Sequence, residues 1–313
     1  MSAGWVAGVI RARALVGRCP GPDGAREMAS AEALEAALHH LTETPYGKSA
    51  RAAMGVTEAQ RAVSATLLWH LRPLAGWLPA GGARLMRPLA AGFEVADVMS
   101  RLSAQGAPGM DPEVSTWQPY RLGSLETTWR NLERAVTPAE LRPALAASSW
   151  GDPGADTPWA LITGMRMAAA RRTDAAVTSA RRWARGRAAL VTARELFVHQ
   201  RRLPGPVRRT AAGLLGSRAV DAPSVRDFRD RLPSPSRWVL EGVEEPGALW
   251  RAEARWWRVV DQDGAGMLRE GRYGPQGVVG AVAVLSVDAW RVRAALESAA
   301  RGAGPLEEFD ALV

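Results

Sequence analysis

The chain has 313 residues, 47% of them hydrophobic and 23% charged, with a formal net charge of +8. These values are those of a globular protein and exclude a disordered chain, and the length suits two ordinary domains or one large one. The single cysteine, Cys19, excludes an intramolecular disulfide framework and any multi-cysteine metal site.

In chain order, residues 5–16 have helical spacing, and Cys19 to Gly24 reads as a break. Ser30 is a candidate N-cap for a short helix carrying Leu34 and Leu38, closed by Tyr46-Gly47. Thr57 with Gln60 has the form of a capping box. It opens a longer helix whose apolar face holds Val63, Leu67, His70, Leu74 and Trp77, with a kink expected at Pro73. Gly81-Gly82 and Gly92 divide the next stretch, and the Gly- and Pro-rich residues 103–119 read as a domain boundary.

Thr137-Pro138-Ala139-Glu140 is the clearest helix start, with a hydroxyl cap, proline at the first helical position and Glu140 placed to reach back. Leu141 and Leu145 share its inner face, and Trp150-Gly151 closes the unit. Thr157-Pro158 starts an arginine-rich helix expected to reach about residue 185, followed by another over 186–201. Ser224, with Asp227, Phe228, Leu232 and then Trp238, repeats the capped pattern. A tryptophan-dense helix comes next (Trp250, Trp256, Trp257), then a loop at 261–277, a helix at 278–301 and a loosely held tail, 302–313.

Three hydroxyl-capped helices, at Ser30, Thr137 and Ser224, are thus spaced 107 and 87 residues apart and each is followed by an aromatic. The pattern predicts a degenerate repeat of about 90–100 residues in a chain with almost no period-two alternation. The expectation is an all-α protein of three helical clusters, over residues 1–119, 120–219 and 220–313. One such cluster cannot bury its own apolar faces, so the three are expected to pack together.

Charge is uneven. Lys48 is the only lysine, and residues 160–218 hold 13 arginines against Asp174 and Glu195. That middle stretch carries the whole basic excess, and a surface of this kind steers acidic partners, anionic lipid or nucleic acid. The longest uncharged run, Tyr273 to Val287, has 15 residues, short of the roughly 20 apolar residues of a membrane span. The first apolar residues, Trp5 to Ile10, precede Arg11 and Arg13, the reverse of a secretory signal. The expectation is a soluble or peripheral protein.

Known catalytic patterns are missing. There is no phosphate loop, no G-x-S-x-G elbow and no metal-ligand spacing among His39, His40, His70 and His199. Asp261-Gln262-Asp263-Gly264 begins like a calcium loop but lacks the remaining ligands. His70 is read as a core histidine and Trp250, Trp256 and Trp257 as packing residues. No enzyme, metal or cofactor is expected.

Several segments resemble one family. Val9-Ile10-Arg11-Ala12-Arg13, Ala33-Leu34-Glu35-Ala36-Ala37-Leu38 and Thr44-Pro45-Tyr46-Gly47 are similar to the N-terminal signature of the central-stalk C subunit of V-type and archaeal-type ATPases, named the d subunit in eukaryotic V-ATPases. Phe93 to Val98 with Arg101, and Val287 to Arg293 with Leu296, resemble its repeated acidic helix motif, and Arg301-Gly302 its closing pair. The resemblance implies three helical bundles around a pseudo-threefold axis, shaped like a funnel. It implies a non-catalytic rotor part, peripheral on the cytoplasmic face of the membrane, that couples the central shaft to the membrane rotor ring during proton or sodium transport. Arg181, Arg182, Arg185 and Arg187 are the candidates for a face meeting an acidic partner. Glu94, Asp97, Arg101, Asp288 and Arg293 are the candidates for intramolecular pairs that orient the repeated helices. The alternative is a basic helical-repeat protein that binds nucleic acid through 160–218.

Overall fold

A computed structural model describes residues 3–51, 53–107, 118–128, 132–270, 273–302 and 306–313. Among them there are helices and turns and no strand, so the chain is all-α. The main helices are α1 (Ala3–Val16), α2 (Gly21–Ala29), α3 (Leu34–Thr42), α4 (Val56–Trp77), α5 (Gly82–Ala104), α6 (Pro138–Ala146) and α7 (Pro158–Ala176). They continue with α8 (Arg181–Ala193), α9 (Gly205–Leu215), α10 (Val225–Arg231), α11 (Leu249–Arg269), α12 (Pro275–Ala300) and α13 (Leu306–Leu312). Single turns connect several of them.

The chain forms two compact units, Met1–Ala83 with Trp257–Val313, and Arg84–Trp256. The first is therefore built from both ends of the sequence. Its centre is α12, which packs against α1, α2, α3 and α4. From Gly277 to Val287 this helix carries no charge and is apolar all round, and such a helix is stable only when covered on every side. Charged residues appear from Asp288 onward, and no described helix is long and apolar enough to cross a membrane.

The stretch expected to be a loop at 261–277 is helical to Arg269. Gly264 is the reason that sequence reading failed there. A Cβ on Gly264 would lie 3.0 Å from the Gly280 carbonyl oxygen, and one on Gly280 2.6 Å from the Gly264 oxygen. The two glycines let α11 and α12 cross backbone to backbone, so they serve packing and not chain reversal. Nearby, Arg291 bonds Asp261 at 2.9 Å, and Trp257 stacks on Trp290 with centroids 5.0 Å apart. The calcium-like tetrad is thus part of a helix, with its first carboxylate held by an arginine.

Other expectations shift in the same unit. Ser30 closes α2 and does not cap α3, whose N-cap is Ala33 with no side-chain bond. Helix α2 itself begins inside the stretch read as a break. Helix α4 starts after Gly55, so Thr57 lies inside it, and Gln60 bonds Glu297 at 3.0 Å instead of closing a box. It continues through Pro73 to Trp77, which is exposed. Helix α5 runs through Gly92 without a break, and most of the boundary read at 103–119 lies outside the described residues. The C-terminal tail is not loose throughout: α13 buries Phe309 and pairs Asp310 with Arg26 at 2.9 Å.

The second unit is assembled on α7 and α8, which pack together and carry α9 against both. Met167, Ala188, Ala189, Ala211, Leu215, Phe228 and Leu240 belong to one apolar core. A second core joins Val95, Val98 and Leu102 of α5 to Leu141, Leu145, Trp150, Leu161 and Met165. Helix α7 stops at Ala176, because the chain turns at Val177, and α8 begins at Arg181 in place of the expected 186. The Thr137 capping box on α6 has both of its bonds, and Ser224 caps α10 by accepting from the Asp227 N–H. Asp227 is one methylene too short for the reach that Glu140 makes, and it accepts a bond from the Ser224 hydroxyl at 2.6 Å.

Candidate functional site

Two buried carboxylates organise the polar interior, one in each unit. Asp288, on α12, accepts the Tyr46 hydroxyl at 2.7 Å and the Gly21 backbone N–H at 2.9 Å. Glu94, on α5, accepts the Trp150 indole N–H at 2.9 Å and the Thr127 backbone N–H. Each carboxylate therefore takes one aromatic donor and one main-chain donor. Burial raises the pKa of both above the usual carboxylate range, and the hydrogen bonds partly oppose that rise.

The helices that carry them match residue by residue. Positions 94, 95, 97, 98, 101 and 102 are buried, with 96, 99 and 100 half-buried. Positions 288, 289, 291, 292, 295 and 296 are buried, with 290, 293 and 294 half-buried. Val98 and Leu102 correspond in this way to Val292 and Leu296.

The aromatic donors also arrive by the same local device. The Thr44 hydroxyl donates to the Leu41 carbonyl at 2.7 Å and accepts the Tyr46 N–H at 3.2 Å. The Ser148 hydroxyl donates to the Leu145 carbonyl at 2.7 Å and accepts the Trp150 N–H at 3.1 Å. This turn ends the helix and aims the ring back at the long helix. At the third place, the Ser236 hydroxyl donates to the Pro233 carbonyl at 3.1 Å, and Trp238 again comes two residues later. There the indole N–H bonds the Pro235 carbonyl, and Arg182 stacks over the ring.

This register differs from the one read in the sequence. The caps Ala33 and Thr137 occupy like positions, as do Leu41 and Leu145, a spacing of 104 residues where the sequence pattern was read at 107. A slip of three keeps apolar residues on one helix face, which is why the pattern alone did not fix it.

The five residues expected to form intramolecular pairs lie as follows. Glu94, Asp97, Arg101 and Asp288 are buried and Arg293 is half-buried. Asp97 accepts the Tyr120 N–H at 3.0 Å, and Arg101 donates to the Leu132 carbonyl at 2.7 Å and to that of Ala135. These side chains hold neighbouring backbone against the long helices. The carbonyl of Arg293 accepts a longer bond from Gln60, at 3.4 Å. Sequence reasoning found the acids but missed Gly21 and Thr127, because a main-chain donor leaves no mark in residue type.

The four arginines proposed for an acidic partner all have contacts within the second unit. Arg181 donates to the Asp174 carbonyl at 2.9 Å and Arg185 to the Asp174 carboxylate at 2.7 Å. Arg187 and Arg194 share Glu253, at 3.3 and 2.6 Å. Arg182 lies over Trp238. Arg166, beneath them, bonds the Met99 sulfur, and burial lowers its guanidinium pKa to about 10. Trp256 donates to the Trp183 carbonyl at 2.8 Å.

A cavity of ≈ 20 Å³ in the first unit is bounded by Leu15, Cys19, Tyr46, Leu67 and His70 among others. It has room for one water. Burial, and then the charges of Lys48, Arg18 and Arg11, lower the His70 pKa, while burial and the adjacent Asp288 keep the Cys19 thiol protonated. Among the described residues, no three His, Cys, Asp or Glu side chains are placed to hold a metal ion. No known family model matches the chain, and no curated protein matches it either.

Proposed function

We propose that this chain is a non-catalytic coupling part of a V-type rotary ATPase, of the kind named the C subunit, or the d subunit in eukaryotes. In this reading three kindred helix clusters surround a pseudo-threefold axis and form a funnel-shaped socket. The socket sits peripherally on the cytoplasmic face of the membrane, receives the central shaft and turns with the membrane rotor ring.

The observation that supports the reading is the recurrence of the carboxylate node. Tyr46 with Asp288 and Trp150 with Glu94 repeat one set of bonds, and Ser236 shares the hydroxyl-to-carbonyl bond two residues before Trp238. A rotor part must transmit torque without bending, and buried polar networks whose donors and acceptors are matched lock helices in one arrangement. Both carboxylates have a pKa raised by burial. The internal pairing of Arg185, Arg187, Arg194, Arg201 and Arg208 weakens the nucleic-acid alternative, because each of these charges already faces an acid.

The test is reconstitution of the purified protein with membrane rotor and shaft subunits at low and moderate salt. Stable co-purification with either supports the proposal, and failure to bind both rejects it. Charge reversal at Arg181 and Arg185 should weaken assembly, with some loss of melting temperature because Arg185 pairs with Asp174.

A further inference from the structure

The first unit exposes three large apolar side chains on neighbouring helices. Ile10, on α1, is 55% exposed, and Trp69 and Trp77, on α4, are 49% and 55% exposed. Helix α1 packs against α4, and Arg11 of α1 lies over Trp77 of α4. The transfer of such apolar surface from water is favourable.

The cations around these rings carry the argument further. The Lys48 ammonium lies 4.1 Å from the Trp69 ring centroid, and the Arg11 guanidinium 5.4 Å from that of Trp77. Arg18 completes the group: with Lys48 and Arg11 it opposes protonation of the intervening His70. The first acidic residue of the chain is Asp23, and none occurs from Ala59 to Phe93. Helices α1 and α4, with Arg18 and Lys48 in the turns beside them, therefore present tryptophan and positive charge together.

We propose that this face of α1 and α4 docks on an anionic lipid bilayer, with Trp69, Trp77 and Ile10 entering the headgroup region and Arg11, Arg18 and Lys48 meeting lipid phosphates. Tryptophan belongs at that depth because its ring is apolar and its N–H is not. Basic side chains beside it add attraction to a negatively charged leaflet. The inference stands on these contacts alone and does not depend on the coupling role.

The experiment is co-sedimentation of the full chain with phosphatidylcholine vesicles, with and without about one third phosphatidylglycerol. Binding is expected to the anionic vesicles only and to be lost at about 0.5 M salt, where the Debye length is a few ångströms. Trp69→Ser with Trp77→Ser should weaken binding about tenfold or more. Lys48→Glu should weaken it about fivefold or more. All three substitutions are on the surface, so unchanged circular dichroism and melting are expected. Quenching of tryptophan fluorescence by brominated lipid gives a second readout on the parent protein and should fall in the double variant. Absence of binding to anionic vesicles, equal binding to neutral ones, or binding unaffected by both sets of substitutions overturns the proposal.

Discussion

Tyr46 donates its phenolic hydrogen to the Asp288 carboxylate over 2.7 Å, and this bond ties the turn after α3 to the middle of α12. Phenylalanine at 46 keeps the ring and removes the donor, leaving one less partner for a buried acid. The expected cost of Tyr46→Phe is about 1–3 kcal/mol, read by urea unfolding. Trp150→Phe should cost a similar amount through Glu94, and the two losses should add, since they fall in different units.

The same nodes give a pH dependence. Burial raises the folded-state pKa of Asp288 and Glu94, so the folded protein binds protons more tightly there than the unfolded chain does. Their contribution is fully present below the unfolded carboxylate pKa, about 4, and is lost as pH rises through the raised folded value. Exposed carboxylates such as Asp152 and Asp230, whose pKa arginine partners lower, have the opposite slope. The informative quantity is therefore a difference. Stability of the parent relative to Asp288→Asn should decline with rising pH across that window and level off above it.

Gly264 and Gly280 provide a test of the α11–α12 crossing. Alanine in place of a helical glycine ordinarily stabilises by up to about 1 kcal/mol. Here the added carbon of Gly280→Ala would meet the Gly264 carbonyl oxygen at 2.6 Å, and backbone cannot step aside as a side chain can. The sign should reverse, with a loss of about 1–3 kcal/mol and a lower melting temperature.

The caps allow a change in each direction. Thr137→Ala removes a formed cap and should cost about 1 kcal/mol. Ala33 occupies the N-cap of α3 with extended backbone, φ −150° and ψ 160°, and no capping side chain. Ala33→Ser should stabilise the protein by about 0.5–1 kcal/mol, measured as a shift in denaturant midpoint.

The legible parts of the fold were those with a local signature. Thr137-Pro138-Ala139-Glu140 announced its helix because every feature of that start lies within four residues. The inner face of α6 was likewise read from Leu141 and Leu145. The parts that escaped depend on partners distant in sequence. Gly264 looks like a chain breaker until Gly280 is set against it. Trp77 has core spacing, yet it lies on the outside, because α4 is covered by α1 and α12 on other sides. At the site, the acids Glu94 and Asp288 were visible through the segments that carry the family resemblance. Their bonding was not, since half of it comes from main-chain N–H groups 33 and 267 residues away.

The division of the first unit between both ends of the chain bears on how the protein is made. Helices α1 to α4 leave the ribosome well before the helix they wrap, α12. Their apolar faces therefore wait through some two hundred intervening residues, counted from Ala83 to Pro275. The central unit, continuous in sequence, has everything it needs before then and folds ahead of the terminal one. During that interval the nascent N-terminal segment is a natural client for a chaperone.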